Sequence, residues 1–269
     1  MKPSTELIPD TVFYAFHATM EKDYAVYVEH TMLTFQISGE FTMQTSSEEI
    51  SMRPNEILLL RKYQVGEVTK KPLDSKGYQT VVVFLRDELL RQIALEEQIE
   101  IEEKYMGKSN ILIPPNDFLQ AYFQSVMPYI RNPIGNMERI MGSLKVKEAV
   151  KLLLQTQPGL INYLFDFSVP YKIDLEKFML SNFYFNVPVE KFAQLTGRSL
   201  ASFKRDFKNT FGASPRQWLQ EKRLTEARHL IEKKKKKPST IYLELGFESL
   251  AHFSRSFKEK FGKAPSDYF

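Results

Sequence analysis

None of the chain's 269 residues is a cysteine. Disulfides, thiolate zinc sites and cysteine nucleophiles are therefore excluded at once. Long apolar runs are also missing: stretches such as Ile57 to Leu60 and Val81 to Leu85 fall far short of the roughly 20 residues that cross a bilayer. No basic segment followed by an apolar one stands at the N-terminus, so the expected compartment is the cytoplasm, with no membrane partner. Histidine is scarce, and only His17 and His30 fall in the first half, with no His-x-His pair. Metal chemistry needs clustered imidazoles and carboxylates, so no cofactor and no enzymatic activity are expected.

What the chain does contain is a copy of part of itself. Ser199 to Trp218 reads SLASFKRDFKNTFGASPRQW and Ser249 to Tyr268 reads SLAHFSRSFKEKFGKAPSDY, with ten of twenty positions identical. A serine that can cap a helix stands first in each copy, and phenylalanine recurs at helical spacing as Phe203, Phe207, Phe211 and Phe253, Phe257, Phe261. Gly212 and Gly262 suit the left-handed turn that ends a helix, and Pro215 and Pro265 suit the first turn of the next. Away from the aromatic stripe lie Ala201, Lys204, Arg205 and Lys208 in the first copy and Ala251, Ser254, Arg255 and Lys258 in the second. Upstream, Phe192 to Gly197 and Ile241 to Gly246 each supply a short helix and a glycine turn, the first half of a helix-turn-helix. The second turn is one residue longer. One helix with rings inside and cations outside is ordinarily a solvated helix; two copies with cap, turn, arginine and Phe-Gly-x-x-Pro in register read as a pair of DNA-reading helices.

These residues resemble the DNA-binding domain of the AraC family of bacterial transcription regulators. The likeness runs from about Asp174 to Phe269 and includes Arg223, Leu224 and Ala227 as an Arg-Leu-x-x-Ala element and Gly246-Phe247. It implies seven helices, two helix-turn-helix units and a long helix between them. It also implies groove-facing positions at Ala201, Lys204, Arg205, Lys208, Leu250, Ala251, Ser254 and Arg255. Two departures are visible: Tyr242 replaces a usual small alanine, which can alter packing of the second unit, and Phe269 follows Tyr268 where a cation is common, which removes a phosphate contact.

Chemistry sorts these residues. Arg205 and Arg255 can each donate two bonds to a guanine edge; Lys204 and Ser254 are less restrictive, and Ala201, Leu250 and Ala251 suit a thymine methyl or a close approach. Ser199, Lys208 and Lys258 look like backbone anchors, which position without discriminating, although Lys208 also stands on the groove-facing stripe. His252 fits the domain's own surface as well as DNA; Trp218 fits the core, and His229 the flank of the linking helix. A helix from Pro215 to about Lys234 spans about 30 Å at about 1.5 Å per residue. Successive major grooves are about 34 Å apart, so one subunit can reach both.

Charge divides along the same boundary. Residues 172–269 hold 20 Lys and Arg against 11 Asp and Glu, a net +9, whereas residues 1–171 carry −5. The basic third is the footprint expected of a polyanion binder, which would place the protein at the nucleoid. Within it, Lys233 to Lys237 reads either as a solvated helix cap and linker or as a phosphate contact.

Up to about Arg86 the pattern is of short strands. Leu33, Phe35 and Ile37 alternate, as do Phe41 and Met43, around a turn at Ser38-Gly39-Glu40; further strands fit Tyr24 to Val28, Glu49 to Met52, Ile57 to Arg61 and Thr80 to Leu85. The Ile-Ser-Gly-Glu and Arg-Pro-Asn-Glu-Ile-Leu signals resemble the cupin-like N-terminal domain of AraC-family proteins. Its aromatic residues can line a ligand cavity or simply fill a small barrel. Glu88 to Lys104, Asp117 to Ile130 and Met137 to Leu154 look helical, with Asn132-Pro133 ending the second. The third carries two apolar faces, one to cover the barrel and one to meet a second subunit or the neighbouring helix.

The expectation is a two-domain α+β protein. A cupin-like β-sandwich or barrel occupies 1–86, a helical segment and linker over 87–171 covers it and can dimerise, and an all-α domain with two helix-turn-helix units joined by a long helix fills 172–269. The function expected is sequence-specific DNA-binding regulation, activating by resemblance, with double-stranded DNA, RNA polymerase and a second copy as partners. The N-terminal domain senses a small molecule or dimerises; alternatively a partner protein controls it with no metabolite. An architectural DNA binder is a third reading.

Overall fold

A computed structural model of the chain describes residues 4–8, 10–101, 103–131, 138–168 and 173–268. Among the described residues, ten strands form two antiparallel sheets. The larger has the order β1 (Thr5–Ile8), β2 (Val12–His17), β9 (Tyr78–Leu85), β4 (Thr31–Ser38), β7 (Ile57–Leu60) and β10 (Asn110–Ile113). The smaller has the order β3 (Glu21–Val28), β8 (Gln64–Lys71), β5 (Glu40–Gln44) and β6 (Glu49–Met52).

Strand β7 shows why the larger sheet is central. It reads Ile-Leu-Leu-Leu and all four side chains are buried, which is the continuous apolar run expected of a strand covered on both faces. Ile57 and Leu59 join Leu33, Val81 and Val83 against helices, whereas Leu58 and Leu60 join Phe41, Met43, Met52 and Tyr78 between the sheets. The helices on the outer face are α1 (Asp87–Glu96), α2 (Asp117–Arg131), α3 (Glu138–Thr156) and α4 (Ile161–Phe165).

Two expectations need correction here. The first helix does not reach Lys104: it stops at Glu96, where Gln98 takes a left-handed φ of 53°, Gln98 N–H bonds Leu95 O, and Ile99 N–H bonds Ala94 O. That closure is completed by Ile99 packing back onto the core. The span 87–171 is also not wholly helical, because Asn110 to Ile113 pairs with β7 and completes the sheet edge. In α3, Val146, Ala149, Val150 and Leu153 are all buried in the sheet-and-helix core, while Leu144 is exposed. The expected stop at Asn132-Pro133 and the side chain of Ile140 lie outside the described residues.

Beyond α4, Arg61 Nη2 bonds Asp166 at 2.6 Å, with the guanidinium 5.0 Å from the Tyr105 ring and 5.8 Å from that of Tyr163. This pair holds the end of the first domain against the β7–β8 corner. Hydrogen bonds from Ser168 and the nearby Arg61 charge outweigh burial and keep the Asp166 carboxyl below its ordinary pKa.

The second domain contains α5 (Leu175–Asn182), α6 (Val189–Leu195), α7 (Leu200–Phe211), α8 (Pro215–Lys234), α9 (Pro238–Glu244) and α10 (Leu250–Phe261). In place of a seventh α-helix there is a single 3-10 turn at Pro265–Tyr268. It is drawn tight because Asp267 accepts a bond from Ala264 N–H and the Tyr268 hydroxyl donates to Phe261 O over the end of α10. Phe185, Phe192, Phe203, Phe207 and Leu219 close the first apolar cluster; Leu224, Ala227, Ile231, Ile241, Phe253 and Phe257 close the second.

Candidate nucleic-acid interface

The repeat folds into two matching helices. Ser199 accepts a bond from Ser202 N–H at 3.2 Å and Ser249 accepts one from His252 N–H at 3.2 Å, so each serine caps its helix. Gly212 and Gly262 end them with φ of 71° and 79°, where a side chain would be strained. Phe203, Phe207, Phe253 and Phe257 are fully buried. On the opposite faces Ala201, Lys204, Arg205, Lys208, Leu250, Ala251, Arg255 and Lys258 are exposed, Ser199 with them, and Ser254 is half-buried.

The exposed cations of these helices are mostly uncommitted. Among the described residues, Lys204, Lys208, Arg255 and Lys258 make no ion pair. Arg205 leans only loosely, with Nε 3.6 Å from Asp206 and Nη2 3.4 Å from Ser202 Oγ. Lys204 and Lys208 share a groove with Arg216 at the start of α8, and Arg216, Gln220 and His252 line a cleft of roughly 460 Å³ that runs on toward α10. The basic groove thus runs from α7 onto the start of α8, and the cleft beyond it toward α10 also holds Glu190 and Glu248.

The remaining residues singled out in the sequence fall as follows. His252 lies 6.0 Å from the Phe247 ring at the surface of its own domain, and His229 is exposed on α8. Trp218 is half-buried against Phe207 and Phe211, with ring centroids 5.6 and 4.5 Å apart. Tyr242 is half-buried at the second cluster. Of the lysine run, Lys236 pairs with Glu244 at 3.2 Å and Lys237 stands at the N-terminus of α9. In the first domain, His17 Nδ1 is 2.8 Å from Glu21, and burial together with Lys70 lowers its pKa despite that neighbour.

Three features went unread in the sequence. Arg198, nearly buried, bonds Asp206 at 3.1 Å and the carbonyls of Ile173 and Thr196, tying the first turn to α7. Arg223 reaches carbonyls of both units: Nε donates to Phe183 O at 2.7 Å, Nη2 to Phe185 O at 2.8 Å and Nη1 to Gly246 O at 2.9 Å. The domains also touch. Tyr27 bonds Gln194, Lys191 pairs with Glu29 at 3.1 Å, and Val65 joins the first apolar cluster. The Arg-Leu-x-x-Ala element marked Arg223, though nothing local showed its partners; the interdomain residues carry no local signal.

Comparison with known proteins agrees with this architecture. Residues 192–269 match a family described as a helix-turn-helix domain, and residues 31–163 match one described as the ExsA N-terminal regulatory domain. The virulence regulon transcriptional activator VirF of Yersinia enterocolitica is 26% identical over 82% of this chain and 82% of its own. The HTH-type transcriptional regulator ExsA of Pseudomonas aeruginosa is 25% identical over 86% of this chain and 81% of its own. An apo form of ToxT from Vibrio cholerae aligns with 99% of this chain and 98% of its own at 12% identity and a TM-score of 0.45. With a paired helix-turn-helix domain behind a two-sheet regulatory domain, and relatives that are transcription regulators rather than enzymes, the chain belongs to the AraC family of DNA-binding transcription regulators.

Proposed function

We propose that the chain activates transcription by reading two adjacent major grooves, with α7 in one and α10 in the next. One observation carries the proposal: matched, exposed faces stand on helices packed at opposite ends of α8. That 20-residue helix spans about 30 Å against a groove repeat of about 34 Å. Arg205 and Arg255 are the base readers with the most discrimination. Lys204, Ser254, Ala201, Leu250 and Ala251 tune close approach, and Ser199, Lys208 and Lys258 grip phosphates. Lys204 on α7 corresponds to Ser254 on α10, so the site is expected to be asymmetric, with the first unit reading more strictly. RNA polymerase and a second copy are the protein partners of this reading, and the bacterial cytoplasm its compartment.

Selection of duplexes from a random pool tests it. Recovery of one bipartite motif supports specific reading, whereas a specific-to-non-specific affinity ratio near one would make the protein architectural.

For the first domain, control by a protein partner has a structural observation in its favour. The space between the sheets is filled by Phe41, Met43, Met52, Val68 and Tyr78, so aromatic and sulfur side chains occupy the place a metabolite would take. A thermal shift with a candidate metabolite would instead support a small-molecule effector.

A further inference from the structure

Among the described residues the two helix-turn-helix units share no buried apolar residue: one cluster gathers Phe185, Phe203 and Leu219, the other Leu224, Ile241 and Phe253. Their relative angle therefore rests on α8 and on the polar seam beside it. That seam is built around Arg223, a half-buried side chain whose three hydrogen bonds all go to backbone carbonyls. Phe183 is the C-cap residue of α5, Phe185 lies two residues beyond it, and Gly246 lies just past the end of α9. Helix C-termini leave carbonyls without intrahelical partners and carry partial negative charge. One guanidinium thus ties together the chain just past two helix ends, one from each unit, and needs no carboxylate. Burial lowers its pKa to about 10, which still leaves it charged at neutral pH.

The seam is also closely fitted. Gly246 has φ of 77°, and a Cβ there would come within 2.4 Å of Tyr184 O and 2.9 Å of Arg223 Cζ. Asn186 Nδ2 donates to Glu248 Oε1 at 3.3 Å across the same seam. A planar fork with donors in fixed directions can hold three carbonyls at once; an ammonium at the same place cannot match that geometry.

We propose that Arg223 is a positioning residue that sets the spacing and rotation between the two recognition helices, and so the number of base pairs tolerated between the two halves of the binding site. This rests on the two-groove reading above. A seam that is set before binding favours one half-site spacing, whereas a loosened seam must be ordered on the DNA and accepts several.

The full chain and its Arg223→Lys and Arg223→Gln variants are compared on a duplex selected by the wild type, on the same duplex with one base pair inserted between its halves, and on one with its second half scrambled. The insertion shifts the halves by about 3.4 Å and about a tenth of a turn. Wild type is expected to lose at least about tenfold in affinity on insertion, and both variants only about twofold. All three proteins should bind the scrambled duplex alike, which a general loss of fold would not allow. A variant that keeps the wild-type insertion penalty overturns the role of Arg223. Loss of the native circular dichroism by both variants overturns it too, since the residue would then hold the fold itself. A wild type indifferent to the insertion overturns the two-groove reading instead.

Discussion

The Tyr27 hydroxyl on β3 donates to Gln194 Oε1 on α6 at 3.1 Å, joining residues 167 positions apart. Around it, Lys191 Nζ lies 4.3 Å from the Tyr27 ring centre and pairs with Glu29. The contact seats the outer face of the smaller sheet on the first helix of the first helix-turn-helix unit. Burial, with smaller contributions from Tyr63 and Glu29, pushes the Tyr27 pKa up to about 12, so the hydroxyl keeps its proton across the physiological range.

We predict that Tyr27→Phe costs less than about 1 kcal/mol, because the bond is exposed and neutral. Val65→Asp should do far more, since it places a charge in the cluster with Leu175 and Phe185. Scanning calorimetry should resolve two thermal transitions for Val65→Asp where wild type shows one. Two transitions already in the wild type would mean that the domains are not energetically coupled here, and a single transition in both would mean that Val65 does not carry the coupling.

Arg205→Ala and Arg255→Ala are each expected to cost roughly 1–3 kcal/mol on the cognate duplex and to relax base choice at one position. Repeating the duplex selection with each variant gives the readout. If the selected motif is unchanged, neither arginine reads a base.

Lys258→Ala should weaken binding about equally on every duplex and lower the salt slope by about one phosphate. Affinity titrations across a series of salt concentrations on cognate and random DNA distinguish the cases. A loss confined to the cognate site would make Lys258 a base reader.

Phe207 is fully buried, 5.4 Å from Phe203, 4.5 Å from Phe211 and 5.6 Å from Trp218 between ring centres. Truncation to alanine should cost about 3–5 kcal/mol, seen as a lower denaturant midpoint. Phe211→Ala, at a half-buried position, should cost visibly less. Equal shifts would contradict the burial difference.

Features encoded within a turn or two of chain were legible in advance. The Ser199 and Ser249 caps, the Gly212 and Gly262 stops and the aromatic stripes depend on neighbours three or four residues away, so spacing alone reveals them. The strand at Asn110–Ile113 was not legible, because only its pairing with β7, some fifty residues earlier, makes it a strand. Strands β1, β2 and β8 were missed for the same reason. The end of α1 was misjudged because a glutamine, not a glycine, takes the left-handed position at residue 98. Arg223 stood in a recognised motif, yet its partners lie 23 to 40 positions away, and no periodicity predicts that.

Helix α8 also decides what the duplication can become. Its first turns supply Trp218 and Leu219 to one apolar cluster, and its later turns supply Leu224, Ala227 and Ile231 to the other. Neither copy owns a complete core, because each borrows a wall from the same spine. Cut after Phe211, the first copy would leave Phe207 and Phe211 facing water in place of Trp218. The two reading heads are therefore inherited, folded and lost as one unit, and single-head descendants would first need a replacement for half of that helix.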